Sequence, residues 1–318
     1  MTNPGWGGGP GEGLPPQPRC VRHPDRPTGL SCTRCGRPAC PDCLRSAPVG
    51  QHCVDCVAAA NRQTATVRTV AGAPVRSGTP TPIVTYVLMG INILVFLVTA
   101  LQAKSLMDNG RGFINPFTGT AVFDSSLFGW WVLSPVDVAS GDWIRLVGSG
   151  FLHFGLVHLA VNMFALYVLG RDTELVLGRA RYGAVYLISL LGGSASVMAF
   201  EGSGFTAGAS GAIFGIMGAQ AVLLLRMRRS PGPVLAVIAI NVVISVTLPG
   251  ISFWGHFGGL AAGAAATAAL LYAPQWFGAG QDRDKIVRIG WIGLGVVAVV
   301  TLGVIGMRVA QLRSEYGL

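Results

Sequence analysis

Seven apolar runs occupy the last three-quarters of the chain, at about residues 83–102, 146–170, 182–200, 204–225, 233–250, 251–272 and 287–307. Each comes near the roughly 20 residues that carry an α-helix across about 30 Å of hydrocarbon. The fifth is short, and only the tight stretch LPGIS parts it from the sixth. The pattern predicts an all-α polytopic membrane protein of seven helices, with 82–272 as a six-helix core and 273–318 as a loop, a seventh transmembrane helix and a tail.

The residues ahead of Ile83 are polar. Residues 1–18 are rich in Gly and Pro and are expected to be disordered. Residues 19–57 hold all seven cysteines, and 58–81 read as a flexible basic linker. Nothing ahead of Ile83 reads as a cleavable leader.

Charge orients the runs. Arg171, Arg179 and Arg181 follow the second run, Arg226, Arg228 and Arg229 the fourth, and Arg283, Lys285 and Arg288 the sixth. Of the short opposite connections, one holds Glu201 alone and the turn at 251 no charge. An arginine surplus on one side marks the cytoplasmic face. The N-terminus is therefore expected inside and the C-terminus outside, with runs two, four and six passing from outside to inside. The connection 103–145 carries Phe123, Phe128, Trp130, Trp131 and Trp143 and reads as an interfacial loop on the outer side. A net charge of +9 in a soluble chain would suggest nucleic acid. Here it is spread in the positive-inside manner, so the expected partner is the lipid bilayer and no nucleic acid. Richness in Ala, Gly, Arg and Val points to a bacterial cell membrane.

Polar side chains inside spans are costly, so each is a functional candidate. His153, His158 and Asn162 lie in the second run, Ser210 in the fourth and His256 in the sixth. A lone serine in a membrane helix usually bonds its i−4 carbonyl, and Asn often joins two helices. Position changes that reading. Ser210 and His256 each lie about five residues below the outer end of a run, on the order of 8 Å deep at 1.5 Å per residue. Ala207, Gly211, Gly215 and Ala219 form one small-residue ladder, and Gly255, Gly259 and Gly263 form another. Such ladders let two backbones pack closely, which would set Ser210 opposite His256 within reach of a nucleophile and its general base. The small-residue stretch before Ser210 would leave the imidazole room to approach and N–H groups free for an oxyanion. His158 and Asn162, four apart on one helical face, can supply two more donors. With no intramembrane carboxylate in view as a third member, the expectation is a Ser–His dyad.

The segments GASG at 208–211, GHFGGLAAG at 255–263 and FLHFGLVHLAVNM at 151–163 resemble the three signature motifs of rhomboid intramembrane serine proteases, in order and over roughly residues 83–272. The resemblance implies Ser210 as nucleophile, His256 as general base, and His158 and Asn162 as oxyanion side chains, with the backbone from Gly208 to Ser210 helping to line the hole. It implies Phe214 stacked on His256 and a structural or water-organising His153. GDWIRL is similar to the family's Trp-Arg element, with Arg145 matching and Ile144 in place of the second tryptophan. The implied substrates are single-pass transmembrane proteins, cut near the outer face after a small residue and beside helix-destabilising positions. The competing readings are a catalytically inactive rhomboid-like scaffold and a seven-span transporter. The second would call for paired broken helices in two related halves.

The cysteine segment contains Cys20-x-x-His23, Cys32-x-x-Cys35, Cys40-x-x-Cys43 and Cys53-x-x-Cys56. Four ligand pairs at metal spacing suit two tetrahedral Zn²⁺ sites, whereas an odd number of cysteines on the cytoplasmic side argues against disulfides. Alternation suggests a cross-brace, with Cys20, His23, Cys40 and Cys43 on one ion and Cys32, Cys35, Cys53 and Cys56 on the other; His52 is an alternative to Cys53. The segment resembles a B-box-type zinc finger, which leaves a protein partner, a regulatory surface or mere stability open as its purpose.

Overall fold

The computed structural model describes residues 17–63, 68–74, 81–117, 120–201 and 204–318. They fall into two compact units, residues 1–66 and 67–318. Residues 1–16 of the segment expected to be disordered lie outside the described residues.

In the first unit a 3-10 turn, Pro41–Cys43, leads into strands β1 (Leu44–Ser46) and β2 (Gln51–Cys53), then helix α1 (Val54–Gln63). The strands pair antiparallel with Leu44 opposite Cys53 and Arg45 opposite His52. The buried cluster is Cys20, Cys32, Ala39, Cys40, Cys43, Leu44 and Cys53, while Val21, Leu30 and Val49 are exposed. Apolar burial of that extent cannot offset the chain entropy of some forty residues. Helix α1 also takes in the first residues of the expected linker, 58–63.

The second unit begins with the remainder of that linker. Residues 68–74 fold back on themselves, and Thr69 Oγ1 donates to the Val176 carbonyl at 2.6 Å. Helix α2 (Ile83–Ala103) follows, then the hairpin β3 (Gly112–Ile114) and β4 (Ala121–Phe123), and the short helices α3 (Ser126–Trp131), α4 (Pro135–Ala139) and α5 (Arg145–Gly148). A 3-10 turn to Phe151 precedes α6 (Leu156–Ala165), a π-helical stretch Leu166–Gly170 and α7 (Arg171–Leu177). The remaining helices are α8 (Arg179–Phe200), α9 (Ser210–Arg226), α10 (Gly232–Thr247), α11 (Phe253–Trp276) and α12 (Arg283–Tyr316). Helices α2, α8, α11 and α12 are long and apolar enough to cross a membrane, and the bent pair 145–151 and 156–177 would make a fifth span. Helices α9 and α10 are apolar but reach only 17 and 16 residues.

Two apolar runs therefore behave differently from a simple span. The run 146–170 is not one rod: the chain turns by 92° between 145–151 and 156–177. At the turn the Leu156 N–H donates to the Leu106 carbonyl at 2.9 Å, and a Cβ on Gly155 would overlap the Met107 carbonyl. The 204–225 run is helical only from Ser210. Among residues 204–209 the small residues form a loop with positive φ at Gly204 and Gly208, so the expected weak helix start is a loop.

Helices α8, α9 and α11 meet along glycine. Gly193 and Gly211 both face the Gly255 carbonyl, Gly215 faces that of Gly259, and Gly263 presses on Gly215. Between apolar helices in lipid, close van der Waals packing replaces the hydrophobic drive, and here it has no side chain in the way. The larger core lies beside the seam, with Phe96, Leu166, Tyr182, Tyr186 and Ile216 fully buried. Helix α12 is fixed to this unit partly by Arg308 Nε donating to the Met198 carbonyl at 3.1 Å and Arg313 Nε to that of Ala139 at 2.7 Å.

Candidate active site

The glycine seam sets the spacing of the site. Ser210 is the first residue of α9 and His256 the fourth of α11, directly beside Gly211 and Gly255. Ser210 Oγ and His256 Nε2 lie 2.7 Å apart. Phe214, one turn below the serine, stacks on the imidazole with centroids 4.1 Å apart and planes 11° from parallel. Nδ1 of the same ring meets the Ser245 hydroxyl of α10 at 2.7 Å. Both groups open on a cavity of about 1180 Å³ whose lining includes His158, Asn162, Gly208 and Glu201.

His158 faces the serine from α6. Its Nδ1 accepts the backbone N–H of Phe154 at 3.4 Å. A neutral imidazole that accepts at Nδ1 carries its proton on Nε2, and that atom would lie 3.0 Å from a Cβ on Gly208, itself close to Ser210 Oγ. The ring thus presents a donor to the space beside Ser210 Oγ. Asn162 is buried, with Nδ2 donating to the His158 carbonyl at 2.9 Å, which leaves one amide hydrogen for another acceptor.

Gly208 departs from its expected part. Its N–H donates to the Ser149 carbonyl at 2.9 Å and so is not free for an oxyanion. What the position requires is space and backbone freedom: φ is +139°, and a Cβ would meet the His158 ring at 2.9 Å. The N–H groups of the first turn of α9, beginning with Ser210, have no acceptor within the helix. His153 is fully buried, edge-on to His158 with centroids 5.0 Å apart.

Three residues that sequence reasoning passed over position these elements. Glu174, buried in α7, accepts from the Val84 N–H at 3.0 Å and from the Thr85 N–H and hydroxyl, each at 2.8 Å, tying the start of α2 to α7. Glu201 accepts from Thr206 Oγ1 at 3.0 Å and from Ser252 Oγ, joining the loop before Ser210 to the N-cap of the helix that carries His256. Ser245 is the third. No motif flags them, since each acts through elements distant in sequence. Arg145, which the sequence did single out, holds the aromatic connection: Nη1 donates to the Gly129 and Val132 carbonyls at 2.7 and 2.8 Å, and Asp142 and Asp137 flank the guanidinium.

In the first unit His23 Nδ1 lies 3.8, 3.4 and 3.3 Å from Sγ of Cys20, Cys40 and Cys43, and Cys35 and Cys53 thiols lie 3.8 Å apart. Within each of the groups Cys20, His23, Cys40, Cys43 and Cys32, Cys35, Cys53, Cys56, all ligand atoms are within 4.8 Å of one another. A tetrahedral ion with Zn–S of about 2.3 Å would set its thiolates about 3.8 Å apart, so these donor sets fit a metal. Cys53, and not the neighbouring His52, turns into the second group. Thiols packed this closely cannot all ionise unaided. The Cys40 backbone N–H holds Cys20 down to about 6, whereas burial and the Cys40 and Cys20 sulfurs push Cys43 up to about 11. Hydrogen bonding to Cys35, with burial, pushes Cys56 up to about 12. A cation would remove that conflict.

The fold and site define a polytopic helical unit with a half-buried serine–histidine pair opening on a largely apolar cavity. Residues 140–273 of the chain match the Rhomboid domain. Its relatives include RHOMBOID-like protein 4 of Arabidopsis thaliana, 31% identical over 168 residues, which covers 51% of this chain and 42% of that one. Rhomboid protease GluP of Bacillus subtilis (strain 168) is 38% identical over 138 residues, 42% of this chain and 27% of that protein. Rhomboid-type serine protease 2 of Emericella nidulans is 32% identical over 169 residues, 50% and 33% of the two. The chain thus spans less than half the length of these relatives. Their spread over a plant, a bacterium and a fungus removes composition as a guide to a bacterial source.

Proposed function

We propose that the chain is an intramembrane serine endopeptidase that cuts membrane proteins in or near a transmembrane segment. The observation that carries this is the 2.7 Å contact of Ser210 Oγ with His256 Nε2, opening on a cavity that also holds His158 and Asn162. Ser210 attacks the carbonyl carbon as His256 Nε2 takes its proton, and the tetrahedral oxyanion receives hydrogen bonds from His158 Nε2, the Asn162 amide and the N–H of Ser210. Collapse of the intermediate returns that proton to the leaving amine, and water then releases the acyl group by the same path reversed. At 17 residues α9 spans about 25 Å, less than the roughly 30 Å of hydrocarbon, so with its arginine end at one boundary Ser210 sits recessed below the other. The arginine surplus on one side supports a site towards the outer face and an N-terminus in the cytoplasm. The reading extends to two structural Zn²⁺ ions in the N-terminal unit, held by the two donor groups; bound there they would join four chain segments and take no part in hydrolysis.

The test is a fluorophosphonate probe together with a reporter transmembrane substrate. The wild-type protein is expected to be labelled and to cleave, and Ser210→Ala and His256→Ala to do neither while remaining folded in detergent. Cleavage retained by either variant would overturn the dyad. For the orientation, a cysteine placed in the 103–117 segment should react with an impermeant thiol reagent outside intact cells, and one placed near Arg228 should not.

A further inference from the structure

Helix α10 holds one buried residue in 16, and it is Ser245. Of the large side chains of the same helix, Leu235, Val237, Ile240, Val243 and Val246 are exposed, and Val234, Ile238 and Val242 are half-buried. In lipid such apolar side chains need no burial, and a hydroxyl on such a helix is expected to bond its own preceding turn. Thr247 does only that, donating to the Val243 carbonyl at 2.8 Å. Ser245 makes the same kind of bond, to the Asn241 carbonyl at 2.7 Å, but its oxygen also lies 2.7 Å from His256 Nδ1. Back-bonding accounts for the first contact and leaves the second unexplained.

We infer that Ser245 is the positioning residue of His256, fixing by its hydroxyl the tautomer in which Nε2 is the base. The direction follows from proton counting. The Asn241 carbonyl can only accept, so the one hydroxyl proton of Ser245 points to it. The Ser245 oxygen then has only lone pairs to offer the ring, so Nδ1 must carry a proton and donate it. A neutral imidazole protonated at Nδ1 has a bare Nε2, which receives the Ser210 proton. One backbone carbonyl thus sets the polarity of the relay from Ser210 through His256 to α10. His158 is set in the opposite sense by an opposite device, a backbone N–H aimed at its Nδ1. The catalytic group that a carboxylate would orient in a triad is here oriented by a neutral hydroxyl, which needs no buried charge.

This inference rests on Ser210 and His256 being nucleophile and base, and the experiment separates the two. The full-length protein in detergent is compared with Ser245→Ala, Ser245→Cys, which keeps the volume, and Ser245→Thr, which keeps the hydroxyl. Cleavage of the reporter substrate and the rate of fluorophosphonate labelling are measured for each, with ¹⁵N-imidazole shifts of His256 assigned by difference from His256→Ala. A positioned base contributes about 10²–10⁴-fold. Ser245→Ala and Ser245→Cys are expected to lose about 10- to 100-fold of that in kcat and labelling rate with KM unchanged. Ser245→Thr should stay near wild type. The wild-type spectrum should show a protonated Nδ1 and a bare Nε2, and that of Ser245→Ala a tautomer mixture. An active Ser245→Ala with wild-type kcat overturns the positioning role alone. So does a loss through KM, or one that Ser245→Thr fails to restore. A wild-type protein that the probe does not label overturns the nucleophile reading and the inference with it.

Discussion

Gly259 stands so close to the carbonyl of Gly211 that a methyl group in place of its hydrogen would overlap the oxygen. These two residues neighbour His256 and Ser210 by three positions and one, so the gap between helices is also the gap between the reacting atoms. Gly259→Ala is expected to force α9 and α11 apart, at about 1–3 kcal/mol for overpacking, and to reduce cleavage at least as severely. Gly306 in α12 has nothing within 4 Å of a Cβ position. Gly306→Ala should leave activity alone and gain up to about 1 kcal/mol of helix propensity. Thermal unfolding in detergent and reporter cleavage of the two variants check the contrast; equal behaviour would remove the seam from the account.

That seam was legible in the sequence because glycine at i+4 intervals has few other uses in an apolar helix, and His256 and Ser210 stood one position from it. The seven apolar runs were legible for a similar reason, being set by hydropathy alone. The break at 152–155 was not, because its cause is the backbone of residues 106–107 crossing there, a contact between segments some fifty residues apart. The loop character of 204–209 was likewise hidden, since a stretch of Gly and Ala has no periodicity to lose. Ser245, Glu174 and Glu201 escaped notice because a hydroxyl or carboxylate near a span end looks like an ordinary surface group until its partners are known.

His158→Ala and Asn162→Ala should differ from loss of the dyad in degree. Removing one oxyanion donor typically costs about 10²–10³ in kcat, so both variants should retain measurable turnover with similar KM. Because both side chains line one cavity and would donate to one oxyanion, the two changes should combine to less than the product of their separate effects. Single and double variants assayed at saturating substrate would show this. Wild-type kcat in both singles would move oxyanion stabilisation to backbone N–H groups alone.

Glu174 offers a test of fold without chemistry. Glu174→Ala strands the N–H groups of Val84 and Thr85 and the Thr85 hydroxyl, and each buried donor left unpaired costs about 1–3 kcal/mol. The melting temperature should fall clearly, Glu174→Gln less so because one acceptor oxygen remains. The Ser210–His256 pair lies on other helices, so fluorophosphonate labelling well below the melting temperature should persist. Loss of labelling in folded protein would mean that the α2–α7 tie governs the site directly.

The N-terminal unit should hold two zinc ions and be dispensable for hydrolysis. Its buried apolar residues, among those described, are five cysteines with Ala39 and Leu44, so metal must supply the folding free energy, about 10–16 kcal/mol per structural site near neutral pH in peptides. Elemental analysis of the purified chain should give two zincs. Cys40→Ser and Cys53→Ser should each lower that number, and His52→Ala should not, since His52 lies outside both donor groups. The pH dependence has a definite sign. Without a cation Cys43 and Cys56 are held protonated, at about 11 and 12, so binding near neutrality must displace their protons. Affinity therefore rises with pH and metal is lost on acidification, which chelator competition at two pH values would measure. A chain lacking residues 1–66 should still cleave the reporter substrate, because no zinc ligand belongs to the unit that carries Ser210 and His256. One zinc per chain would refute the use of all four ligand pairs. A folded but inactive truncation would show that the N-terminal unit acts on the catalytic one.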